Sequence, residues 1–445
     1  MKLTYVTNAC VIIEHEGKRV MCDPWLIDGA YYGSWFHYPA LKVAPEDFAS
    51  VDFIYISHIH PDHMDVRSLQ RLPKHLPILI LDYAEKFLLH HLQRLGFQTI
   101  HELPNGESFQ FGPHFSIQIF AADNCNPEVC GHFFGCSLAS PHKQTQQLDS
   151  LAVFKGGEKT ICNTNDCPYA MSWAVCDQIM KEYPYIDFLL VGYRSAGPYP
   201  QCFDSLSVDE KEAEALKGQK TRLELALDYI RHLKARAFLP FAGQYVLSGK
   251  LVPLNAYILP DIEDLPQLFI PLLKQKKVAS QLIMLNSMAS YDLETEQISE
   301  PFSPPTKSAR SAYLDTLKPL KFDYEDDDVA DLSPTKLLDL LKQAHQKLQD
   351  HRKIFRFETD WKVVIDLSDK GAFLIPFQDT PPSQVSLSSL VEPYLKIRID
   401  PRLFLRILHR KAHWNNAEIG SHLFFERRPN EFNRNLHFLM SFFHV

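Results

Sequence analysis

A strand-like stretch that runs straight into a dense group of metal-binding side chains constrains this chain more than any other feature. Residues 58–65 follow the apolar run "DFIYIS" and contain three histidines and two aspartates in eight positions. His58 and His60 can converge on one ion from a single loop, while Asp62 and His63 can serve a second ion close by. Imidazole nitrogen with carboxylate oxygen suits Zn²⁺ or Fe in an open coordination sphere. The pattern predicts a centre of two divalent metal ions, Fe or Zn.

Bulk properties place the chain among soluble globular proteins. Its 445 residues are enough for two or three domains, and 45% of them are apolar. A net charge of −8 without a long basic run argues against a nucleic-acid or anionic-membrane surface. No stretch reads as a secretory signal or a membrane span, and the nine scattered cysteines read as mostly reduced thiols. We expect a cytoplasmic protein without a membrane span, and the oligomeric state stays open.

Periodicity and composition divide the chain into three parts. Short strands and helices alternate over residues 1–290, which we predict to be the catalytic domain. Proline, serine and acidic residues are concentrated over residues 291–330, as in a linker. Residues 331–445 read as a separate small α+β domain that begins with a helix capped by Ser333 and Pro334. The predicted class of the whole chain is α+β.

The ligand-rich loop, together with the earlier "DPWL", resembles the metallo-β-lactamase superfamily. The resemblance implies an αββα sandwich with the metal ions between the edges of two sheets, and two further ligands from later strands. Asp166, in "NTND" at the end of a strand, is the expected carboxylate ligand and shares a catalytic role with Asp62. His142 is the expected third histidine, ahead of His132 and His114.

A second group of metal-binding residue types comprises Cys125, Cys130, His132 and Cys136. Three thiols and an imidazole could form a structural zinc site. The spacing matches no established zinc pattern, and free cysteine is a common core residue. We therefore prefer core packing for these thiols.

Six motifs occur in the same order as in a narrower family: "NACVII", "DPWLIDGAYYGSW", "DFIYISHIHPDHMD", "ICNTNDC", "LPFAGQYV" and "HWNNAEIGSHLFF". They resemble the catalytic region of the CMP-N-acetylneuraminate hydroxylase family. That family carries an N-terminal Rieske iron–sulfur domain, whereas this sequence starts at the lactamase-like strands. The resemblance implies that electrons would come from a separate electron-transfer protein.

One expected ligand of the superfamily has no counterpart here. Hydrolytic members bring a last histidine to the second ion, but "FLPFAGQYV" has Pro240, Phe241 and Ala242 in that place. Gln244, Tyr245 or a water are the candidates to replace it. An incompletely liganded ion suits the binding of dioxygen or of a substrate oxygen, and it also suits a single-metal hydrolase.

Two enzymatic hypotheses follow, and the narrower resemblance favours the first. A dinuclear iron oxygenase would hydroxylate or otherwise oxidise a polar small molecule. A zinc-dependent hydrolase would use the same ligands to activate water against an ester, amide or phosphodiester. A binding protein without catalysis is a third possibility, which the intact ligands disfavour. In the oxygenase, His58, His60 and His142 would hold one iron. Asp62, His63 and Asp166 would hold the other or form a shared bridge.

For the substrate, Tyr193 and Arg194 follow a buried strand. Arg194 can hold a carboxylate or phosphate through two hydrogen bonds, or it can form a structural ion pair. Asn8, Tyr31 and Tyr32 are further candidates for the same cleft.

The C-terminal domain resembles sterol-carrier-like domains, which can enclose an apolar ligand, cover an active site or make a dimer contact. Within it, residues 413–420 read as a turn in which Trp414 packs and Asn415 caps.

Overall fold

The computed structural model describes residues 1–83, 85–122, 149–329 and 332–445. Its strands are β1 (Lys2–Thr7), β2 (Cys10–His15), β3 (Lys18–Cys22), β4 (Trp35–His37), β5 (Phe53–Tyr55), β6 (Ile78–Leu81), β7 (Ile100–Leu103), β8 (Ser108–Gly112), β9 (Phe115–Ala121), β10 (Ser150–Gly156), β11 (Lys159–Asn163), β12 (Phe188–Gly192), β13 (Ala237–Phe241), β14 (Tyr245–Leu247), β15 (Gln281–Leu282), β16 (Ser290–Asp292), β17 (Gln297–Ile298), β18 (Lys362–Asp366), β19 (Ala372–Ile375), β20 (Ser383–Val385), β21 (Tyr394–Arg398) and β22 (Phe424–Arg428). Its α-helices are α1 (Ala30–Gly33), α2 (Val66–Arg71), α3 (Phe87–Arg94), α4 (Tyr169–Glu182), α5 (Val208–His232), α6 (Leu265–Lys276), α7 (Lys307–Leu317), α8 (Pro334–Ile354), α9 (Pro401–Leu408), α10 (Trp414–Ile419) and α11 (Arg434–Met440). Within these described ranges, none of the helices combines the length and the apolar character that a bilayer crossing needs.

Most strands belong to two large sheets. The first has the order β17-β16-β1-β2-β3-β5-β6-β7, and the second has the order β15-β13-β12-β11-β10-β9-β8. Pairing in the first sheet is parallel from β3 through β7. In the second sheet β9, β10 and β11 are antiparallel, while β11, β12 and β13 are parallel. Because parallel strands end at the same edge of a sheet, the loops that follow them gather there.

The two sheets face each other across a shared core. In β12, Phe188 and Leu190 pack in the core that also contains the first sheet, whereas Leu189 and Val191 pack in an outer cluster. This period of two is the alternation of a strand that is covered on both faces. Side chains of α4, α5 and α6 belong to the outer cluster, and those of α2 and α3 pack with the first sheet. The layers follow the αββα order predicted from the sequence.

A five-stranded sheet, ordered β20-β19-β18-β21-β22, lies in the C-terminal part of the chain. Helix α8 packs on it through leucines at helical spacing, since Leu337 and Leu341 are fully buried in the same cluster as the sheet. The side chain of Ser333 accepts a hydrogen bond from the backbone N–H of Lys336, as the predicted cap requires.

This C-terminal sheet shares its core with the N-terminal part of the chain. Trp25, Tyr31 and Trp35 pack in the same buried cluster as α8. The segment predicted as a linker, 291–330, includes most of β16 and all of β17, which extend the first sheet beyond β1, and it also includes α7. Regular structure therefore occurs within this segment. The domain boundaries and the sterol-carrier-like character of residues 331–445 remain predictions.

The stretch predicted as a turn near the C-terminus is a helix. Residues 414–419 form α10, and His413 occupies its N-cap position. Trp414 packs as expected, with 1% of its surface exposed. Asn415 lies inside the helix, so the prediction that it caps a turn is wrong.

Candidate metal centre

Two chain segments meet at one edge of the sandwich. The histidine loop follows β5, while Asp149 and Asp166 flank the hairpin of β10 and β11. In that hairpin Ala152 pairs with Asn163. Extending the same register by three residues sets Asp149 opposite Asp166. The hairpin therefore brings two carboxylates to one end of the sheet, next to the histidines.

The first group of metal-binding side chains comprises His58, His60 and Asp149, whose ligand atoms lie within 4.8 Å of one another. His58 Nε2 is 2.8 Å from His60 Nδ1, and His58 Nδ1 is 3.2 Å from Asp149 Oδ1. His58 is fully buried, and the Asp149 side chain keeps 17% exposure. Asp149 was not among the predicted ligands.

The second group comprises His58, His63 and Asp166, again with ligand atoms within 4.8 Å of one another. His63 Nε2 lies 3.3 Å from Asp166 Oδ2 and 3.5 Å from Asp62 Oδ2. The structure therefore brings together the four side chains of the loop and the later aspartate that the sequence analysis selected.

Asp23, from the "DPWL" motif, orients His63. Its Oδ2 lies 2.8 Å from His63 Nδ1. The same carboxylate accepts hydrogen bonds from the backbone N–H of Ser57 at 2.7 Å and from the Ser57 hydroxyl at 2.6 Å. Both Asp23 and His63 are fully buried. Because Nδ1 donates to this carboxylate, Nε2 is the nitrogen left to face Asp62 and Asp166.

Tyr31 holds Asp62 in place. Its hydroxyl donates to Asp62 Oδ1 at 2.5 Å, and Asp62 Oδ2 lies on the side of His63. Tyr31 and Tyr32 have φ angles of 52° and 61°. A non-glycine residue in this left-handed region costs about 1–3 kcal/mol, and such strain is concentrated at functional sites. The sequence analysis placed Tyr31 in the cleft but assigned it no contact.

Asn415 reaches the centre from α10 in the C-terminal part of the chain. Its Oδ1 lies 3.1 Å from His60 Nε2, across 355 residues of sequence. No local pattern could reveal this contact, because helix and turn propensities say nothing about which distant side chain a residue meets.

Burial and charge repulsion determine the electrostatics of the centre. Burial holds the pKa of His58 well below its usual value. Burial and the neighbouring charge of Asp166 raise the pKa of Asp149 to about 7. Burial acts to lower the pKa of His63, but the surrounding carboxylates, Asp166 foremost, raise it well above the usual value. Buried carboxylates around imidazole nitrogens form a negative pocket that a divalent cation would neutralise.

The predicted substrate residues make contacts with the backbone. Arg194 Nη1 donates to the carbonyls of Gly243 at 2.7 Å and Tyr245 at 3.3 Å, and Nη2 donates to the carbonyl of Ile258. Tyr193 is fully buried, and its hydroxyl has no hydrogen-bond partner within the described ranges. Arg194 therefore anchors the segment after β13, and a substrate role for Tyr193 and Arg194 remains a prediction.

The two side chains proposed to replace the missing histidine also have structural contacts. Gln244 accepts a hydrogen bond from the Tyr5 hydroxyl, and its backbone N–H donates to Asn8 Oδ1 at 3.0 Å. Tyr245 stacks on Trp35 with ring centroids 3.4 Å apart. A ligand role for either residue remains a prediction.

Several predicted residues lie outside the described ranges: Cys125, Cys130, His132, Cys136 and His142. Their roles remain predictions. His114 is described, and it lies exposed in the turn between β8 and β9.

Comparison with known protein families finds a similarity in the N-terminal part of the chain. Residues 2–161 match the family model of the beta-lactamase superfamily domain. Over these residues the chain is similar to that superfamily, which supports the predicted metallo-β-lactamase fold.

Curated relatives confirm the narrower resemblance. A protein of Mycobacterium tuberculosis described as a Rieske 2Fe-2S iron–sulfur protein is 27% identical over 249 residues, which cover 55% of this chain and 44% of that protein. The cytidine monophosphate-N-acetylneuraminic acid hydroxylase of Cricetulus griseus is 25% identical over 272 residues, which cover 58% of this chain and 42% of the hydroxylase. The chain thus spans less than half the length of these relatives.

Solved structures with a similar arrangement include both hydrolases and a hydroxylase. The isothiocyanate hydrolase from Delia radicum gut bacteria has 17% identity and a TM-score of 0.45, covering 66% of this chain and 99% of that one. CmlA, a diiron β-hydroxylase from Streptomyces venezuelae, has 17% identity and a TM-score of 0.39, covering 64% of this chain and 53% of that one.

Proposed function

We propose that this protein is a dinuclear iron oxygenase that hydroxylates or otherwise oxidises a polar small molecule. The observation that carries the proposal is the first ligand group, with two histidines and one carboxylate. This is the ligand set of non-haem Fe(II) oxygenases. In the proposal Asp149 takes the place that the sequence analysis gave to His142. The proposed ligands are His58, His60 and Asp149 for one ion, and Asp62, His63 and Asp166 for the other.

The side chains of the centre fit a pair of divalent ions. His63 Nε2 and Asp149 Oδ1 are buried and have no hydrogen-bond partner in the described part of the chain. Each nevertheless lies beside another ligand atom, at 3.3 Å from Asp166 Oδ2 and 3.2 Å from His58 Nδ1. Buried polar atoms are stable when they are hydrogen-bonded or coordinate a metal. The donor chemistry therefore supports metal binding by these residues.

The surrounding residues keep the ligands in one arrangement. Asp23 holds the proton of His63 on Nδ1, so that Nε2 is free to coordinate. The hydroxyl of Tyr31 donates a hydrogen bond to Oδ1 of Asp62, so that Oδ2 is free to coordinate an ion. Ligands held in this way need no rearrangement when an ion binds, which increases affinity.

An aromatic wall borders the carboxylate side of the centre. The Tyr31 ring lies 4.6 Å from the Trp35 ring, and Trp35 stacks on Tyr245. All three side chains are buried. Such a wall excludes water and strengthens electrostatic interactions within the site. We assign the substrate to the open side of Asp166, whose side chain keeps 27% exposure.

When bound, the iron ions would supply dioxygen activation. One oxygen atom would go to the substrate, and the other would leave as water after the uptake of two electrons and two protons. For those electrons we propose an iron–sulfur donor, because the relatives from Mycobacterium tuberculosis are described as Rieske 2Fe-2S proteins. The hydroxylase relatives support oxidation as the class of reaction.

A zinc-dependent hydrolase is the second candidate. Two histidines and a carboxylate also form catalytic zinc sites, so the first ligand group fits this function too. Water activated at the same centre would attack an ester, amide or phosphodiester.

The deciding experiment is elemental analysis of the protein purified from cells grown without added metal, with absorption spectra before and after dithionite. About two irons per chain and a reducible near-ultraviolet band would support the oxygenase. Zinc alone, with no spectral change, would overturn it in favour of the hydrolase. His60→Ala should lose metal in either case, and full retention of metal would refute the ligand assignment itself.

A further inference from the structure

We infer that Asn415 is a positioning residue of the metal centre, which makes helix α10 a part of the site. The inference rests on the proposed metal-dependent function and adds a residue to it. Its basis is the 3.1 Å contact between Asn415 Oδ1 and His60 Nε2. The other ring nitrogen, Nδ1, is the one that faces His58, at 2.8 Å from its Nε2.

The contact selects one tautomer of His60. An amide oxygen only accepts hydrogen bonds, so Nε2 of His60 must carry the proton. The lone pair is then on Nδ1, which lies on the side of His58 and Asp149. A histidine ligand needs this arrangement, with one nitrogen donating to a fixed acceptor and the other free to coordinate.

Helix α10, which carries Asn415, is fixed in place by the packing of its other side chains. Its residues Trp414 and Ala417 lie in the core that also contains Tyr31, with 1% and 0% of their surface exposed. The helix is followed by Gly420, where an added Cβ would lie 2.8 Å from the Cβ of Tyr31. Two residues later, His422 Nε2 lies 2.7 Å from the Tyr31 carbonyl.

The same segment therefore supports both sides of the centre. Asn415 fixes His60 directly. Gly420 and His422 pack against the strained backbone of Tyr31, whose hydroxyl holds Asp62. Asn415, Gly420 and His422 therefore act as a brace that fixes ligand orientation without coordinating metal.

The test uses the full chain, with Asn415→Ala, Asn415→Asp and the matched control Asn416→Ala on the same helix. Apparent Zn²⁺ affinity is measured by competition with a chromophoric chelator. The His60 tautomer is read from imidazole ¹⁵N shifts of the metal-free protein, with His60→Gln supplying the assignment. Asn415→Ala should weaken Zn²⁺ binding by about 10- to 100-fold and lose the single Nε2–H tautomer.

Asn415→Asp distinguishes an acceptor from a donor at this position. A carboxylate accepts from Nε2–H as the amide oxygen does, so this variant should keep the affinity and the tautomer of the wild type. Asn416→Ala should match the wild type in both measurements. Loss of affinity in Asn415→Asp as large as in Asn415→Ala would overturn the inference.

Failure of the inference is distinguishable from failure of the proposed metal centre. If Asn415→Ala matches the wild type while His60→Ala loses metal, the positioning role is refuted and the centre stands. If His60→Ala also retains full metal content, the proposed ligands are themselves wrong, and the role of Asn415 is refuted with them.

Discussion

Asp23 Oδ2 lies 2.8 Å from Nδ1 of His63, and both side chains are fully buried. The carboxylate sits at the end of β3, and the imidazole lies in the loop after β5, a strand paired in parallel with β3. This pairing turns two separate sequence motifs into one unit, in which Asp23 sets the proton position of His63.

Replacement of Asp23 by Asn tests this relationship. Asp23 accepts from three donors, which are the backbone N–H and the hydroxyl of Ser57 and Nδ1 of His63. Asn has the same size, but its amide N–H group would face one of these donors and so misorient His63 or Ser57. We expect metal affinity about 10- to 100-fold weaker, measured by chelator competition. Asp52→Asn removes a carboxylate from a surface pair with Lys18 and should leave the affinity unchanged. Equal affinities for all three proteins would contradict the role of Asp23.

Asp149 is tested against the ligand predicted from the sequence, His142. We expect Asp149→Ala to bind about one ion fewer per chain than the wild type, because it removes the carboxylate of the first ligand group. The measurement is metal content after dialysis. His142→Ala serves as the comparison. A full complement in Asp149→Ala combined with a lost ion in His142→Ala would return the ligand role to the histidine.

Replacement of Tyr31 by Phe removes the hydroxyl that donates to Asp62. The buried Oδ1 would lose a charge-assisted hydrogen bond, so we expect a free energy of unfolding lower by about 1–3 kcal/mol in urea titrations. Tyr38→Phe is the matched control, because the buried Tyr38 hydroxyl has no hydrogen-bond partner among the described residues. If the two variants were equally stable, the hydrogen bond between Tyr31 and Asp62 would contribute nothing to the free energy of unfolding.

His422 predicts a loss of stability in mild acid. Burial lowers its pKa from 6.5 to about 4. Between those values the unfolded chain binds the proton and the native protein does not, so stability falls as the pH drops through this window. The loss from this residue reaches about 3 kcal/mol by pH 4. Urea titrations from pH 7 to pH 4 should show a flatter dependence in His422→Gln. His90 is exposed, and the control His90→Gln should keep the wild-type dependence of the free energy of unfolding on pH. An unchanged pH dependence in His422→Gln would refute the prediction.

Two glycine replacements should have opposite effects. A Cβ at Gly420 would meet Tyr31 Cβ at 2.8 Å and the Asn416 carbonyl at 3.0 Å, so Gly420→Ala should destabilise the protein by about 1–3 kcal/mol. A Cβ at Gly218, inside α5, meets nothing within 4 Å. Gly218→Ala should stabilise by about 0.5–1 kcal/mol, because alanine loses less backbone entropy in a helix. Thermal unfolding of both variants gives the comparison.

Much of the candidate site could be predicted because its residues follow strands. His58, His60, Asp62 and His63 share one loop, and Asp166 lies just beyond β11, where strand ends place them at a common edge. Asp149 was missed although a signal existed. The two-residue turn at Gly157 and Glu158 fixes the hairpin register, and counting outward from the pair of Gly156 with Lys159 reaches Asp149 opposite Asp166.

The strands of the N-terminal part and the ligand-rich loop could be predicted, because periodicity and residue chemistry are local properties. The contacts of Asn415 with His60 and of Tyr31 with Asp62 could not be predicted in this way. Those contacts depend on how the C-terminal core packs on the N-terminal tryptophans. Packing of this kind joins residues far apart in the chain, and no local propensity encodes which of them meet.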